Sequence, residues 1–283
     1  MVRALAAIHS ADLKPFRLVF GGGTALSRAY RLTRRMSEDI DLKIVSGAPR
    51  SRAALRRLRD KVTKALLDAG FEFDPANAAH RDSGNESRYT VYRLPDTPLV
   101  AGEGALRPEV QVETAVWALR LPSVEQSVTS FWAEAIQFLG GGHPAAAGGA
   151  LYFLCGACRD GGGKIRTLSR RVGAELANAG GPRDKTLVRH VYDLDIVRSH
   201  YDPTEVVALA REIIGADVEA YGHQFPAYRE NPVGETLRAV SGLATDDRVA
   251  AHYAAFLRDM VYGEAQGFKT ALTTVSALAD GLT

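Results

Sequence analysis

Between Phe20 and Val45 the chain reads FGGGTALSRAYRLTRRMSEDIDLKIV, and this stretch leaves few folds open. The apolar run Leu18-Val19-Phe20 that enters it has the pattern of a buried strand. Three glycines follow, Gly21, Gly22 and Gly23. A helical run from Thr24 to about Thr33 comes next, with Leu26 and Tyr30 on one side. A second strand is expected from Asp39 to Val45, in which Asp39 and Asp41 alternate with Ile40 and Leu42. Side chains two apart on a strand share a face, so the carboxylates stand side by side while the apolar pair faces the core.

Adjacent carboxylates repel each other and are costly to bury unless a cation lies between them. Mg2+ is a hard ion that takes oxygen ligands, commonly one or two carboxylates plus phosphate oxygens of a substrate. Glycines let the backbone approach a phosphate closely, and a helix N-terminus offers free N–H groups to an anion. Thr24 adds a hydroxyl at that helix start. Together these parts can hold a nucleoside triphosphate over a metal site.

The residues Gly22, Gly23, Thr24, Ala25 and Leu26, followed by Arg35, Ser37, Glu38, Asp39, Ile40, Asp41 and Leu42, resemble the nucleotidyltransferase toxins of the AbiEii/MenT type, which belong to type IV toxin–antitoxin systems. The resemblance implies an α/β (α+β) chain, with an N-terminal palm-like mixed sheet bearing helices and a C-terminal helical domain. It implies a Mg2+-dependent (or Mn2+-dependent) enzyme in which Asp39 and Asp41 bind the metal and Gly22, Gly23, Thr24 and Ser37 bind the nucleotide. A palm of this kind has a third carboxylate on a neighbouring strand. In the expected strand Arg107–Val116, Val110 and Val112 point one way and Glu109, Gln111 and Glu113 the other. By resemblance Glu113 is the third carboxylate, binding a second metal or activating the attacking hydroxyl, with Glu109 in reserve.

Lys164 and the run Arg189, His190, Tyr192, Asp193 and Leu194 match the remaining motifs. The resemblance gives Lys164 contact with the triphosphate and has Asp193 orient that lysine or a hydroxyl. The implied reaction is attack of a hydroxyl on the α-phosphate of an NTP, CTP or UTP, with loss of pyrophosphate. The implied acceptor is the 3′ end of tRNA, so that aminoacylation and growth stop until a cognate antitoxin intervenes. Two other classes stay open: a non-catalytic nucleotide- or RNA-binding palm module, and a nucleotidyltransferase acting on protein.

With 283 residues, 46% hydrophobic and 24% charged, the chain has the length for two domains and the mix of a soluble globular protein. No apolar run is long enough to cross a bilayer, and Met1–Asp12 has no signal-peptide core, so a cytoplasmic protein without a membrane partner is expected. The net charge of +2 says little, but basic residues crowd between Arg31 and Lys64. Such a cluster attracts phosphate backbones, with Arg56, Arg57 and Arg59 as RNA-binding candidates, or is simply a solvated helix face. Cys155 and Cys158 form one C-x-x-C, with only His143 near in sequence as a further metal ligand.

The expected division is a catalytic domain over 1–120, an irregular linker or insertion over 121–163, and a helical domain over 164–283 contributing Lys164 and Asp193. Helices are expected over Val2–Ala11, from Ser51 to about Ala69, over Phe131–Leu139, over Thr186–His200 and from Pro203 to about Ile214, with two or three more in Thr236–Leu282. His143–Gly163 has no helical or strand period, as a variable insertion or a compensated frameshift would leave it.

Overall fold

The computed structural model describes residues 1–37, 39–46, 50–82, 87–95, 109–116, 122–140, 150–155, 163–165, 167–168, 170–173 and 184–283. The chain divides into two compact units, residues 1–31 with 36–156 and residues 32–35 with 157–283.

The first unit is built on strands β1 (Phe16–Gly21), β2 (Asp39–Ser46), β3 (Arg81–Asp82), β4 (Ser87–Arg93), β5 (Glu109–Val116), β6 (Ser123–Val128) and β7 (Ala150–Cys155). They form one mixed seven-stranded sheet in the order β3-β4-β5-β2-β1-β7-β6. β1 runs antiparallel to β2 and parallel to β7, and β2 runs parallel to β5. Helices α1 (Val2–Ser10) and α3 (Arg52–Asp68) turn apolar stripes inward. Ala4, Leu5, Ile8, Val62 and Leu66 join Phe20, Ile40, Leu42 and Val112 in one core. Each fully buried leucine or isoleucine there contributes roughly 2 kcal/mol. The Ser51 side chain caps α3 by accepting from the Ala54 amide, and Gly70 follows its end at φ 83°.

Two segments differ from the sequence-based expectation. The second helix, α2 (Gly22–Arg28), stops short of Thr33. Arg31 takes φ 55°, outside helical geometry, and residues 32–35 belong to the second unit. The stretch expected as an irregular linker holds β6, helix α4 (Phe131–Phe138) and β7, all within the first unit. The apolar run Leu151-Tyr152-Phe153-Leu154 is strand: Leu154 pairs with Phe20, and all of β7 pairs with β6. Cys155 ends β7, whereas Cys158, His143 and Glu38 lie outside the described residues.

The second unit is helical: α5 (Val188–Ile196), α6 (Pro203–Tyr221), α7 (Pro226–Glu230), α8 (Pro232–Thr245), α9 (Asp247–Met260) and α10 (Phe268–Asp280). A 3-10 turn, Arg198–His200, follows α5. Asp202, Asn231 and Asp246 cap α6, α8 and α9 by accepting backbone N–H groups. α5 is the most enclosed of these helices. Val191 and Leu194 are fully buried, and Tyr192 meets Phe256 of α9 edge-on at 5.5 Å. Asp195, also buried, accepts from Thr274 of α10 at 2.8 Å and from Arg198 at 2.9 Å. Residues 163–165 and 170–173 are helical, so Lys164 stands on a helix as expected. Among the described residues no helix is long and apolar enough to cross a membrane.

Candidate active site

Strand alternation decides where the acidic residues stand. Along β2 the apolar Ile40, Leu42 and Ile44 are buried, while Asp39, Asp41 and Lys43 on the other face are partly exposed. The register carries this face sideways: Asp39 pairs with Gln111 and Asp41 with Glu113 on β5. Neighbouring residues in register point to the same side of a sheet, so Glu113 shares the face of Asp41 and is itself exposed. Glu109 lies beyond the first β2 pair, opposite Arg93 of β4. The sheet thus brings Glu113, not Glu109, beside the D-x-D.

The glycine turn meets the same carboxylate from β1. Gly21 pairs with Asp41, and Gly22 follows at φ 75°. A Cβ on Gly22 would lie 1.8 Å from Asp41 Oδ2. Only glycine suits this position, for its left-handed backbone and for its contact with the carboxylate. Thr24, at the start of α2, is buried, and its hydroxyl lies 2.6 Å from Ser37 Oγ. Ser37 is the more exposed of the two hydroxyls, and Thr24 holds it. The far end of α2 is fixed by Arg28, only 2% exposed, which bonds Glu134 of α4 at 2.9 Å and lies 3.4 Å over the Phe131 ring. The sequence reading assigned Arg28 no part. Its place at the end of α2 carries no motif, and Glu134 lies 106 residues away.

The donors on this face are hard oxygens and suit an ion that takes one or two carboxylates and completes its shell with phosphate and water. Among the described residues no three His, Cys, Asp or Glu side chains gather as a metal cage.

In the second unit Asp193 of α5 is fully buried. Arg35 grips it with two prongs, Nε to Oδ1 at 2.7 Å and an Nη to Oδ2 at 2.9 Å. Lys164 Nζ donates to the same Oδ2 at 2.7 Å. Burial alone would raise this carboxyl, but the charges and hydrogen bonds of Arg35 and Lys164 outweigh it and hold Asp193 well below the usual carboxylate range. His190, on the same helix, is held well below its ordinary range by burial, then by Lys164, against the pull of Asp193. Its Nδ1 is buried and has no hydrogen-bond partner among the described residues. The expected Lys164–Asp193 pairing is thus joined by Arg35, whose place in the R-x-S-E-D-I-D run had no role in the sequence reading.

The basic residues do not form one surface. Arg56 and Arg57 on α3 are exposed. Arg59 departs from that face: it is 5% exposed, 3.9 Å from Asp82, and burial lowers its pKa. Arg31 reaches Thr129 and Glu134, Lys61 bonds the Asp12 carbonyl, and Lys64 pairs with Asp68.

A mixed sheet bearing an acidic strand beside a glycine turn, with helices attached, defines a nucleotidyltransferase-like α+β protein. Over residues 3–274 the chain matches the family described as nucleotidyl transferase AbiEii toxin of the type IV toxin–antitoxin system, and it belongs to that family. No curated protein matches the chain.

Two outcomes are expected from this geometry. Gly22→Ala should lower stability by roughly 1–3 kcal/mol in urea unfolding and displace the Asp41 carboxylate. A variant as stable and as active as wild type would contradict the close contact. Asp193→Asn should cost about 3 kcal/mol at pH 7, because it leaves two buried cations without their carboxylate. The folded-state carboxyl is the more acidic, so its stabilisation is complete above the unfolded value of about 4 and is lost as pH falls toward the folded value. The gap between wild type and Asp193→Asn should therefore narrow below about pH 4. A gap independent of pH would assign the effect to side-chain shape.

Proposed function

We propose that the protein transfers a nucleotide from CTP or UTP to the 3′ end of tRNA and so blocks aminoacylation and growth. The observation that carries this reading is the contact of the Gly22 turn with Asp41, itself in register with Glu113. It joins a phosphate-accepting turn to an acidic face at atomic contact, which a solvated strand end does not require. The family supplies the coarser frame of a nucleotidyl transferase toxin with a cognate antitoxin.

In the proposed reaction the terminal hydroxyl of the acceptor attacks the α-phosphate, the bond to the β-phosphate breaks, and pyrophosphate leaves. Asp39 and Asp41 hold Mg2+ or Mn2+, with Glu113 as a further ligand or as the base that takes the hydroxyl proton. When bound, the ion supplies neutralising charge at the phosphate oxygens. Gly22 and Gly23 admit the phosphates without a side chain in the way, and Ser37, steadied by Thr24, donates its hydroxyl to them. Lys164 acts as a point charge on the triphosphate, and Asp193 orients it. The reaction belongs to the cytoplasm, where NTPs and tRNA meet.

Purified protein incubated with tRNA and each of four radiolabelled NTPs tests this reading. Label should enter tRNA from a pyrimidine nucleotide, and Asp41→Asn should bring it below detection while the fold persists. Label appearing only in protein would make the acceptor a polypeptide. No label anywhere, despite NTP binding, would leave a non-catalytic module.

If tRNA docks along α3, Arg56→Ala with Arg57→Ala should weaken tRNA binding and leave the KM for NTP nearly unchanged. The slope of log K against log salt should become shallower by roughly one unit per lost phosphate contact. An unchanged slope would remove this face from the RNA interface.

A further inference from the structure

We infer that Arg35 is a positioning residue for Lys164: by taking a share of the Asp193 carboxylate, it keeps that carboxylate from neutralising the lysine, whose charge is then available to a triphosphate. The inference rests on the reading that Lys164 serves the triphosphate.

The three side chains form a buried cluster, 5%, 8% and 1% exposed for Arg35, Lys164 and Asp193. Both Asp193 oxygens are occupied: among the described residues Oδ1 accepts from Arg35, and Oδ2 from Arg35 and Lys164 together. One carboxylate divided between two cations cannot balance both. The guanidinium fork matches the carboxylate geometrically and engages both oxygens, so Lys164 shares the one oxygen it bonds. An ammonium has three donors, and its bond to Asp193 uses one. The result is a lysine aimed by a hydrogen bond but not cancelled by it.

Arg35 is itself held. The Arg34 amide donates to the Tyr192 hydroxyl at 3.3 Å, and the Tyr262 amide donates to the Arg34 carbonyl at 3.0 Å. Arg35 forms a β-bridge with Val261, and a Cβ on Gly263 would lie 2.4 Å from the Arg34 side chain. Tyr192 is the residue before Asp193, so the segment that presents the guanidinium is tied to the helix that presents the carboxylate. Nothing so rigid is required of a surface ion pair, which contributes little.

The test is binding of inorganic tripolyphosphate without metal, by calorimetry, alongside the KM for the NTP. Arg35→Met should weaken tripolyphosphate about tenfold, the effect of roughly 1.4 kcal/mol, because Asp193 then pairs one-to-one with Lys164. Arg35→Lys, which still draws on the carboxylate, should stay within about threefold of wild type. Adding Asp193→Asn to Arg35→Met removes the neutralising carboxylate and should restore affinity to within about threefold, while kcat stays low because the lysine is no longer aimed. A role confined to bracing the fold predicts the opposite: Arg35→Lys fails as Arg35→Met does, and the double variant is worse than either. That pattern, or an Arg35→Met protein that binds as wild type does, overturns the inference. Should Arg35→Met not fold, Arg35→Lys and the double variant decide it by the same criteria, with thermal melts as the check. Lys164→Met binding tripolyphosphate and NTP as tightly as wild type would instead locate the failure in the reading of Lys164, and the inference would fall with it.

Discussion

Asp193 gathers Arg35 and Lys164 about itself in the interior of the helical unit. Withdrawing it from water is costly, and it is kept charged because three hydrogen bonds from two cations more than offset that cost. These bonds join pieces of chain that are remote in sequence: Arg35 lies 158 residues from Asp193, and Lys164 lies 29. Removing Asp193 leaves two cations in dry surroundings without their carboxylate, a loss that costs about 3–5 kcal/mol. The apolar contacts around α5, with Tyr192 against Phe256, supply the dry surroundings that make those bonds strong.

The sheet unit reaches its chemistry by a different route. Its acidic residues are placed by backbone pairing, not by ion pairs. Asp39, Asp41 and Glu113 share a face because β2 and β5 are parallel and in one register. A shift of one residue would turn all of β2 over, putting Ile40 and Leu42 into water. The core that selects the register therefore also selects the site. Gly22 adds a second constraint, since its missing side chain is the space that Asp41 Oδ2 occupies.

Much of this was legible in the sequence where the information is local. Period-two alternation put Asp39 and Asp41 on one face and Glu109 and Glu113 on one face, and the family resemblance singled out Glu113. Arg59, expected as a nucleic-acid contact, is buried instead: it lies four residues after Leu55 and three before Val62, on the apolar side of α3. Thr24 could be read only in part, because its burial depends on Ser37 and the packing of α2. The strand at Leu151–Leu154 was obscured by glycine-rich flanks. Its four apolar residues fit a buried strand as well as a loop, and its partner, Phe20, is in another part of the chain. Arg35 belongs to the same class of omission, since no local pattern reports a contact so far away.

Segment 32–35 has a consequence for the order in which the chain is made. A ribosome emits residues 32–35 long before the groups that hold them, since Tyr192 and Asp193 follow 158 residues later and Val261 and Tyr262 later still. Domains otherwise form as units during translation, N-terminal first. Here the sheet unit has a core of its own, while residues 32–35, which lead toward its acidic strand, wait for the helical unit. A chain halted before α5 carries Asp39, Asp41 and Glu113 and lacks Asp193 and Val261, two groups that hold Arg35. For a protein of a toxin family, the interval between those two moments is a window in which the polypeptide exists and its Lys164 cluster does not.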